Sequence, residues 1–174
     1  MRSVRWLLTA LMAGLLALTG CTTPSASEAA TVNGQPIPVS AVEGPVQAIG
    51  VPPGESADPN ATVLTYAIRG EIARTIAAEQ NIQLTGDPRT TALAALDPAL
   101  AKFADDPQAG ILVNNLLDFN VVVGAVGEAA FLQKVSQTPV QVNPRFGSWS
   151  IESAAVSQSG GQLSEPWATP SAPA

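Results

Sequence analysis

The sequence predicts a mainly α-helical bundle that is closed by a short pairing of two strands, one from each end of the domain. Three observations lead to this fold class. The dipeptide Asp-Pro recurs four times, apolar residues recur at helical spacing behind it, and a short extended segment lies at either end of the helical region. Asp-Pro signals a helix start, and the pairing follows because neither extended segment forms a stable strand alone.

The first element is a short strand at residues 29–32, which leads into a turn at Asn33-Gly34. The last is a strand at residues 139–142, which leads into a second turn. Asn-Gly supplies the left-handed backbone that a tight turn needs. Isolated two-stranded pairings are marginal in water, so we expect the two strands to pair with each other across the bundle.

The helices begin at the Asp-Pro pairs. An Asp side chain accepts hydrogen bonds from the free N–H groups of a helix's first turn and suits the positive end of the helix dipole. Proline at the next position gives up only an N–H group that would have no partner there. The four predicted starts are Asp58-Pro59, Asp87-Pro88, Asp97-Pro98 and Asp106-Pro107. The adjacent carboxylates Asp105 and Asp106 are interpreted as a helix cap rather than an acid–base couple.

The first of these helices, at residues 61–81, is amphipathic. Large apolar residues recur at every fourth position while charged residues fall mostly on the opposite side, which predicts one buried stripe. The apolar set is Leu64, Ile68, Ile72 and Ile76, and the charged set is Arg69, Glu71, Arg74 and Glu79. Two short, alanine-rich helices are predicted to follow at residues 88–95 and 98–105.

The last predicted helix, at residues 107–136, is apolar on nearly all faces of its middle part. Its polar residues Asn114, Asn115 and Asp118 share a narrow sector. Three consecutive valines at 121–123 favour a strand and allow a break near Gly124, but the helix signals on either side favour a continuous helix. Such a helix is either the centre of the bundle, which we favour, or has an exposed apolar face that meets a partner.

Ahead of the domain, Leu18-Thr19-Gly20-Cys21 has the residue order of a bacterial lipobox. It closes an apolar run that follows Arg2 and Arg5, so the start of the segment stays in the cytoplasm while the run enters the bilayer. The run is too short for a transmembrane helix, and small residues stand directly before the chain's only cysteine. We therefore expect Cys21 to carry diacylglycerol, whose two acyl chains anchor a protein where one is marginal.

These features predict four parts of the chain: a lipoprotein signal peptide at 1–20, a lipidated tether at 21–28, a helical domain at 29–152 and a flexible Ser/Gly/Pro-rich tail at 153–174. The mature protein would lie on the outer face of the cell membrane. Removal of Arg2 and Arg5 lowers the net charge from −6 to −8. Such a charge argues against binding to nucleic acid or anionic headgroups, so membrane attachment depends on the lipid.

Missing residue types limit the chemistry. The chain has no histidine and one cysteine. Ser-His-Asp and Cys-His catalysis, zinc sites built on His or Cys, and disulfide bonds are therefore excluded. Paired carboxylates and lysine-based mechanisms remain open. The sequence nevertheless predicts a protein that is not an enzyme, without catalytic residues, cofactor or metal, and with Cys21 as its lipidation site.

Three segments resemble the SurA/PrsA-type chaperone domain of periplasmic and surface foldases. Residues 30–37 (Ala-Thr-Val-Asn-Gly-Gln-Pro-Ile) are similar to that family's opening motif A-x-V-N-G-x-x-I. Residues 78–85 are similar to the end of its long helix, with Asn81 in place of a glycine, and residues 142–147 to a strand and turn near its C-terminus. The likeness covers roughly residues 29–150 and implies a short helix at residues 39–49.

The resemblance implies the chaperone module alone. Foldases of this type commonly carry a parvulin-type prolyl isomerase domain with histidines in its active site, and this chain has no histidine and no stretch left for such a domain. The module would act as a holdase that binds unfolded or secreted client proteins. The alternative is a scaffold lipoprotein that binds one dedicated envelope partner, and a hydrolase or isomerase comes third. The apolar helix at 107–136 would also allow a homodimer.

Overall fold

A computed structural model describes residues 24–50 and 58–158 of the chain. The predicted signal peptide, Cys21 and residues 159–174 lie outside the described residues. Helices predominate within the described part, which confirms the mainly α class. The helices are α1 (Ser40–Ile49), α2 (Pro59–Gln80), α3 (Asp87–Ala94), α4 (Pro98–Ala101), α5 (Ala109–Val126) and α6 (Glu128–Gln137). The strands are β1 (Glu28–Val32), β2 (Gln35–Pro38), β3 (Val140–Val142), β4 (Ser148–Ser150) and β5 (Ala155–Ser157).

β1 is the central strand of a three-stranded sheet in the order β2-β1-β3. It pairs antiparallel with β3, with Thr31 opposite Gln141, which confirms the predicted pairing of the first and last strands. It pairs with β2 through the turn at Asn33 and Gly34, whose φ angles of 51° and 79° are both left-handed. The sequence predicts only the other two strands of this sheet, and β2 is a third. Its two prolines are poor strand residues that an edge strand tolerates.

Each of the four Asp-Pro pairs lies at or just before a helix start, and three of the Asp side chains accept backbone hydrogen bonds there. The donors are the backbone N–H groups of Asn60 for Asp58 (2.9 Å), Ala99 for Asp97 (2.7 Å), and Gln108 and Ala109 for Asp106 (2.8 and 2.7 Å). Asp87 is instead the first residue of α3, and Gly86 occupies the cap position with a φ of 70°. Asp106 thus bonds to the turn that leads into α5, which itself begins at Ala109 with Gln108 at its cap position.

The core lies where α2 and α5 cross. The predicted stripe of α2 is confirmed, since Leu64, Ile68, Ile72 and Ile76 are each at most 2% exposed. At the crossing, a Cβ atom on Gly70 would lie 2.7 Å from Oδ1 of Asn115 and 3.0 Å from its Cα atom, so glycine permits the close approach of the two backbones. α5 is the one described helix that is long and apolar enough to cross a membrane, and more than half of it is buried in the fold, as a core helix is.

The predicted continuous helix at residues 107–136 is wrong, because the chain breaks at Gly127 into α5 and α6. Gly127 has a φ of 83° and a ψ of 155°, a conformation that is essentially restricted to glycine. Its N–H group donates to the carbonyl of Val123 at 2.8 Å and closes α5. Gly124, beside the valine run, stays helical. The predicted helix at 98–105 is also shorter, since α4 ends at Ala101 and gives way to turns.

The fold continues beyond residue 152, where the sequence predicts the flexible tail to begin. β4 and β5 form an antiparallel hairpin that packs on α2. The hydroxyl of Thr65 accepts the N–H of Val156 at 2.9 Å. Arg69 donates to the carbonyls of Ser153 and Ala154 at 3.1 and 2.8 Å. Side chains of α2 therefore hold the last strand in place, and residues 153–158 belong to the folded domain.

Candidate functional site

Cys21, the one site residue that the sequence predicts, lies outside the described residues, and its lipidation stays a prediction. The predicted contact face on residues 107–136 can be examined directly. The large apolar side chains of α5 are mostly turned inward, and six of them are buried: Leu112, Val113, Leu116, Leu117, Val121 and Val122. α5 is therefore a central core helix. Its most exposed side chains are small or polar: Asn114, Asn120, Gly124 and Ala125.

Two of the three residues in the polar sector of α5 are buried, and Arg74 of α2 donates hydrogen bonds to both of them. Asn115 and Asp118 are 6% and 7% exposed. Arg74 donates through Nη1 to Oδ2 of Asp118 at 2.9 Å and to Oδ1 of Asn115 at 3.0 Å, and through Nη2 to Oε2 of Glu71 at 2.6 Å. Burial alone would lower the pKa of Arg74, but the carboxylates of Glu71 and Asp118 raise it overall, so the guanidinium stays charged.

A second guanidinium reaches the same carboxylate from α3. Arg89 donates through Nη1 to Oδ1 of Asp118 at 2.8 Å and through Nη2 to Oδ1 of Asn114. The carboxylate of Asp118 thus bridges α2 and α3, with one oxygen for each arginine. No residue of α3 is buried, and this ion pair is one of the contacts that attach α3 to α5.

Beyond Arg89, the two helices leave an open groove, here called the α3/α5 groove. Its volume is about 540 Å³. The lining residues are small or medium-sized and uncharged: Pro88, Thr91, Ala92 and Ala95 on one wall, and Asn120, Val121 and Gly124 on the other. A Cβ atom on Gly124 would meet no other atom within 4 Å, so the α5 wall of the groove has open space at this residue.

Two acidic residues lie close in the chain to the α3 wall of the α3/α5 groove, one before it and one after it. Asp87 directly precedes the lining residue Pro88, and Asp97 lies two positions after Ala95. Asp97 caps α4 through its carboxylate, and Asp87 has no hydrogen-bonding or ionic partner within the described ranges. The one cation on this wall, Arg89, is already paired with Asp118. A segment in the groove would therefore meet an uncharged lining between carboxylates.

A smaller cleft of about 160 Å³ lies between α2 and α6. Lys134 of α6 lines it and pairs with Glu79 of α2 at 2.6 Å, while Phe131 and Val135 hold α6 against the core. Both members of the ion pair line the cleft, and the volume of the cleft is less than a third of that of the α3/α5 groove. We therefore consider the groove the better candidate site.

The groove can bind a chain segment, but its lining offers little for covalent chemistry. Thr91 provides a hydroxyl and Asn120 an amide, and neither side chain has a hydrogen-bonding partner in the part of the chain that the structure describes. Both can therefore bond to the backbone of a ligand. Within residues 24–50 and 58–158, no group of three His, Cys, Asp or Glu side chains is placed to bind a metal ion.

Sequence reasoning missed the groove and both arginines of the Asp118 network. The signal for the network was present, because a buried polar sector on an apolar helix requires partners from other elements. No comparable signal marks the groove, whose lining consists of residues that are common on any helix surface. No protein-family model, curated protein or solved structure matches the chain.

Proposed function

We propose that this protein is a membrane-anchored, extracytoplasmic holdase that binds extended segments of unfolded or secreted proteins in the α3/α5 groove. The observation that carries the proposal is the groove itself, which is open to solvent and lined by small or medium-sized, uncharged residues. Small side chains allow the backbone of a bound chain to come close, and a lining without charge does not require one particular client sequence.

The order of the elements supports a SurA-like arrangement. A strand, a tight turn, a short helix and a long helix follow each other, and a late strand returns to pair with the first. α1 lies at the place of the short helix that the resemblance implies at residues 39–49. The motif segment 30–37 forms the hairpin of β1 and β2, and the segment 142–147 ends β3 and forms the turn after it. We propose that the fold is of this chaperone type.

The lipid anchor would hold the protein at the outer face of the cell membrane. With Cys21 acylated, the chain reaches β1 at Glu28 after a short, mostly small and polar tether. Such a tether would keep the groove within a few nanometres of the outer face of the cell membrane, where newly exported chains emerge unfolded. The net charge of −8 predicted for the mature chain disfavours direct contact with anionic headgroups, so the domain would face away from the lipid.

We propose a binding role without catalysis. Asp118, the most buried carboxylate among the described residues, accepts hydrogen bonds from two arginines and is tied to the packing of three helices. Such a carboxylate suits a structural role better than proton transfer. The holdase would therefore act stoichiometrically and without ATP, and it would not isomerise prolyl bonds.

Suppression of aggregation tests the proposal. The mature chain with Cys21→Ala is mixed with a chemically unfolded, aggregation-prone protein while light scattering is followed. We expect suppression at near-stoichiometric amounts. The double variant Ala92→Gln/Gly124→Gln, which fills the groove with long polar side chains, should require at least about fivefold more protein for the same effect, as expected for a loss of about 1 kcal/mol of binding.

A matched control separates the groove from the rest of the surface. Ala125→Gln/Ala129→Gln adds the same two side chains at exposed positions outside the lining and should suppress aggregation like the parent chain. Thermal unfolding followed by circular dichroism checks that all variants are folded. If the parent chain does not suppress aggregation at large excess, or if both double variants behave alike, the groove is not a holdase site.

One observation favours the alternative of a scaffold lipoprotein with a single envelope partner. Among the described residues, only Leu132 and Ile151 are large apolar side chains with substantial exposure, at 38% and 54%. A holdase with many clients usually presents more apolar surface. Affinity capture from solubilised membranes distinguishes the two functions, because a scaffold would retain one folded protein in a fixed ratio. Sedimentation of the purified domain tests the predicted homodimer in the same series.

A further inference from the structure

We propose that the α3/α5 groove selects extended segments that carry lysine or arginine on either side of a short run of small residues. This inference rests on the proposed function, since it names the class of polypeptide that the same groove binds. The small residues would lie between Ala92 and Gly124, and the cationic side chains would reach Asp87 and Asp97 at the two ends of the α3 wall. The occupant is thus a cationic stretch of another protein.

The dimensions of the groove set the length of the segment. From Pro88 to Ala95 the wall spans seven residue steps, which is about 10 Å of helix. An extended chain covers this distance with about three residues. Asp87 and Asp97 lie just beyond the ends of this wall, so cations separated by about four residues would reach both carboxylates.

The polar groups of the lining suit an extended backbone. Thr91 and Asn120 lie on opposite walls, and both side chains are free to bond within the part of the chain that the structure describes. An extended segment presents backbone N–H and C=O groups that need such partners, whereas a helix satisfies its own. Asn120 can both donate and accept, so it fits either direction of the bound chain.

Charge supplies the selectivity. The lining is uncharged, and Asp87 and Asp97 lie at the two ends of the α3 wall. The one nearby cation, Arg89, is paired with Asp118. The other basic side chains of the described residues are also engaged elsewhere: Arg69 with backbone carbonyls, Arg74 with Glu71 and Asp118, Lys134 with Glu79, Arg145 with Glu43, and Lys102 with the ring of Phe103. An acidic client segment would find no unpaired guanidinium among these residues, whereas a basic one would meet the carboxylates of Asp87 and Asp97.

Peptide binding tests the inference. The probe is a fluorescein-labelled peptide in which two lysines flank four residues chosen from Ala, Ser and Val, and its comparison peptide has glutamates in place of the lysines. Fluorescence anisotropy is measured with the full mature chain carrying Cys21→Ala. We expect the lysine peptide to bind at least about fivefold more tightly at low ionic strength, and the difference to shrink at about 0.5 M salt because exposed ion pairs are screened.

Two variants locate the effect. Asp87→Asn/Asp97→Asn removes both charges while an amide at position 97 still caps α4, so it should abolish the preference without unfolding the domain. Ala92→Gln/Gly124→Gln should weaken the binding of both peptides. Equal affinity for the two peptides, or a preference that survives in the Asp-to-Asn variant, would overturn the inference. If the parent chain binds both peptides with equal affinity and Ala92→Gln/Gly124→Gln abolishes this binding, the groove is still a polypeptide site. The charge preference can therefore fail while the proposed function stands.

The chain's own tail is the competing occupant. A chain that ends at Gln158 lacks residues 159–174 and should bind the lysine peptide with the same affinity as the full mature chain. A severalfold gain in affinity on this truncation would assign the groove to the tail and overturn the inference. Unchanged affinity supports a partner from another protein.

Discussion

Asp118 connects two helices to a third through a single carboxylate, with one oxygen for Arg74 and the other for Arg89. The sequence predicted that Asn114, Asn115 and Asp118 share one sector of an apolar helix. It does not predict the partners, because local periodicity alone places Arg74 on the outer side of α2. Periodicity ranks the faces of one helix, whereas the partner of a buried carboxylate depends on how the helices are arranged in three dimensions.

Replacement of this carboxylate tests its contribution. Asp118→Asn should lower the free energy of unfolding by about 1–3 kcal/mol, because two partly buried guanidinium groups would face a neutral amide. The value lies below that of a fully buried pair, since the side chains of Arg74 and Arg89 are 39% and 28% exposed to screening solvent. Urea unfolding measures the change. The exposed Asp105→Asn serves as the control and should stay within about 0.5 kcal/mol.

A loss below about 0.5 kcal/mol for Asp118→Asn would mean that solvent screens the network and that α3 is held by other contacts. The test also bears on the candidate site. α3 has no buried side chain among its described residues, so weakening its attachment should loosen one wall of the groove. We therefore expect Asp118→Asn to reduce aggregation suppression as well as stability.

At the scale of elements, the main difference from the sequence prediction is the break between α5 and α6. Gly124 and Gly127 lie three positions apart, and both could end a helix. The backbone conformation distinguishes them: Gly127 has a positive φ, while Gly124 is helical. The helix ends at the glycine that lets Phe131 and Val135 of α6 reach the core, and this requirement comes from tertiary packing.

Alanine at these two glycines should change stability in opposite directions. Gly127→Ala should destabilise the domain by about 1–3 kcal/mol, since a side chain is strained in this conformation. Gly124→Ala should stabilise it by about 0.5–1 kcal/mol, because alanine is the better helix former and its Cβ meets no other atom. Urea unfolding of the two variants compares them directly. Stabilisation by Gly127→Ala would show that α5 and α6 run as one helix in solution.

At the scale of the whole molecule, the sequence predicted the closure of the domain by its two ends, and the pairing of β1 with β3 confirms it. That prediction succeeded because two short strands at opposite ends have few other ways to satisfy their backbones. The hairpin of β4 and β5 was missed. Its sequence is rich in Ser and Ala, which is typical of flexible tails, and its order comes from contacts with α2 that lie more than eighty positions away in the chain.

Truncation at two points tests how much this hairpin contributes. A chain that ends at Glu152 loses β5, and with it the buried side chains of Ala154 and Val156 and the partners of Thr65 and Arg69. Lost apolar burial and unpaired polar groups should together lower the free energy of unfolding by about 2–5 kcal/mol. A chain that ends at Gln158 keeps all of these contacts and should unfold like the full mature chain. Urea unfolding of the two truncated chains measures where the domain ends. Equal stability would place the boundary of the domain at residue 152, as the sequence predicts. A large difference would show that α2 and the last strand form one cooperative unit with the bundle that carries the groove.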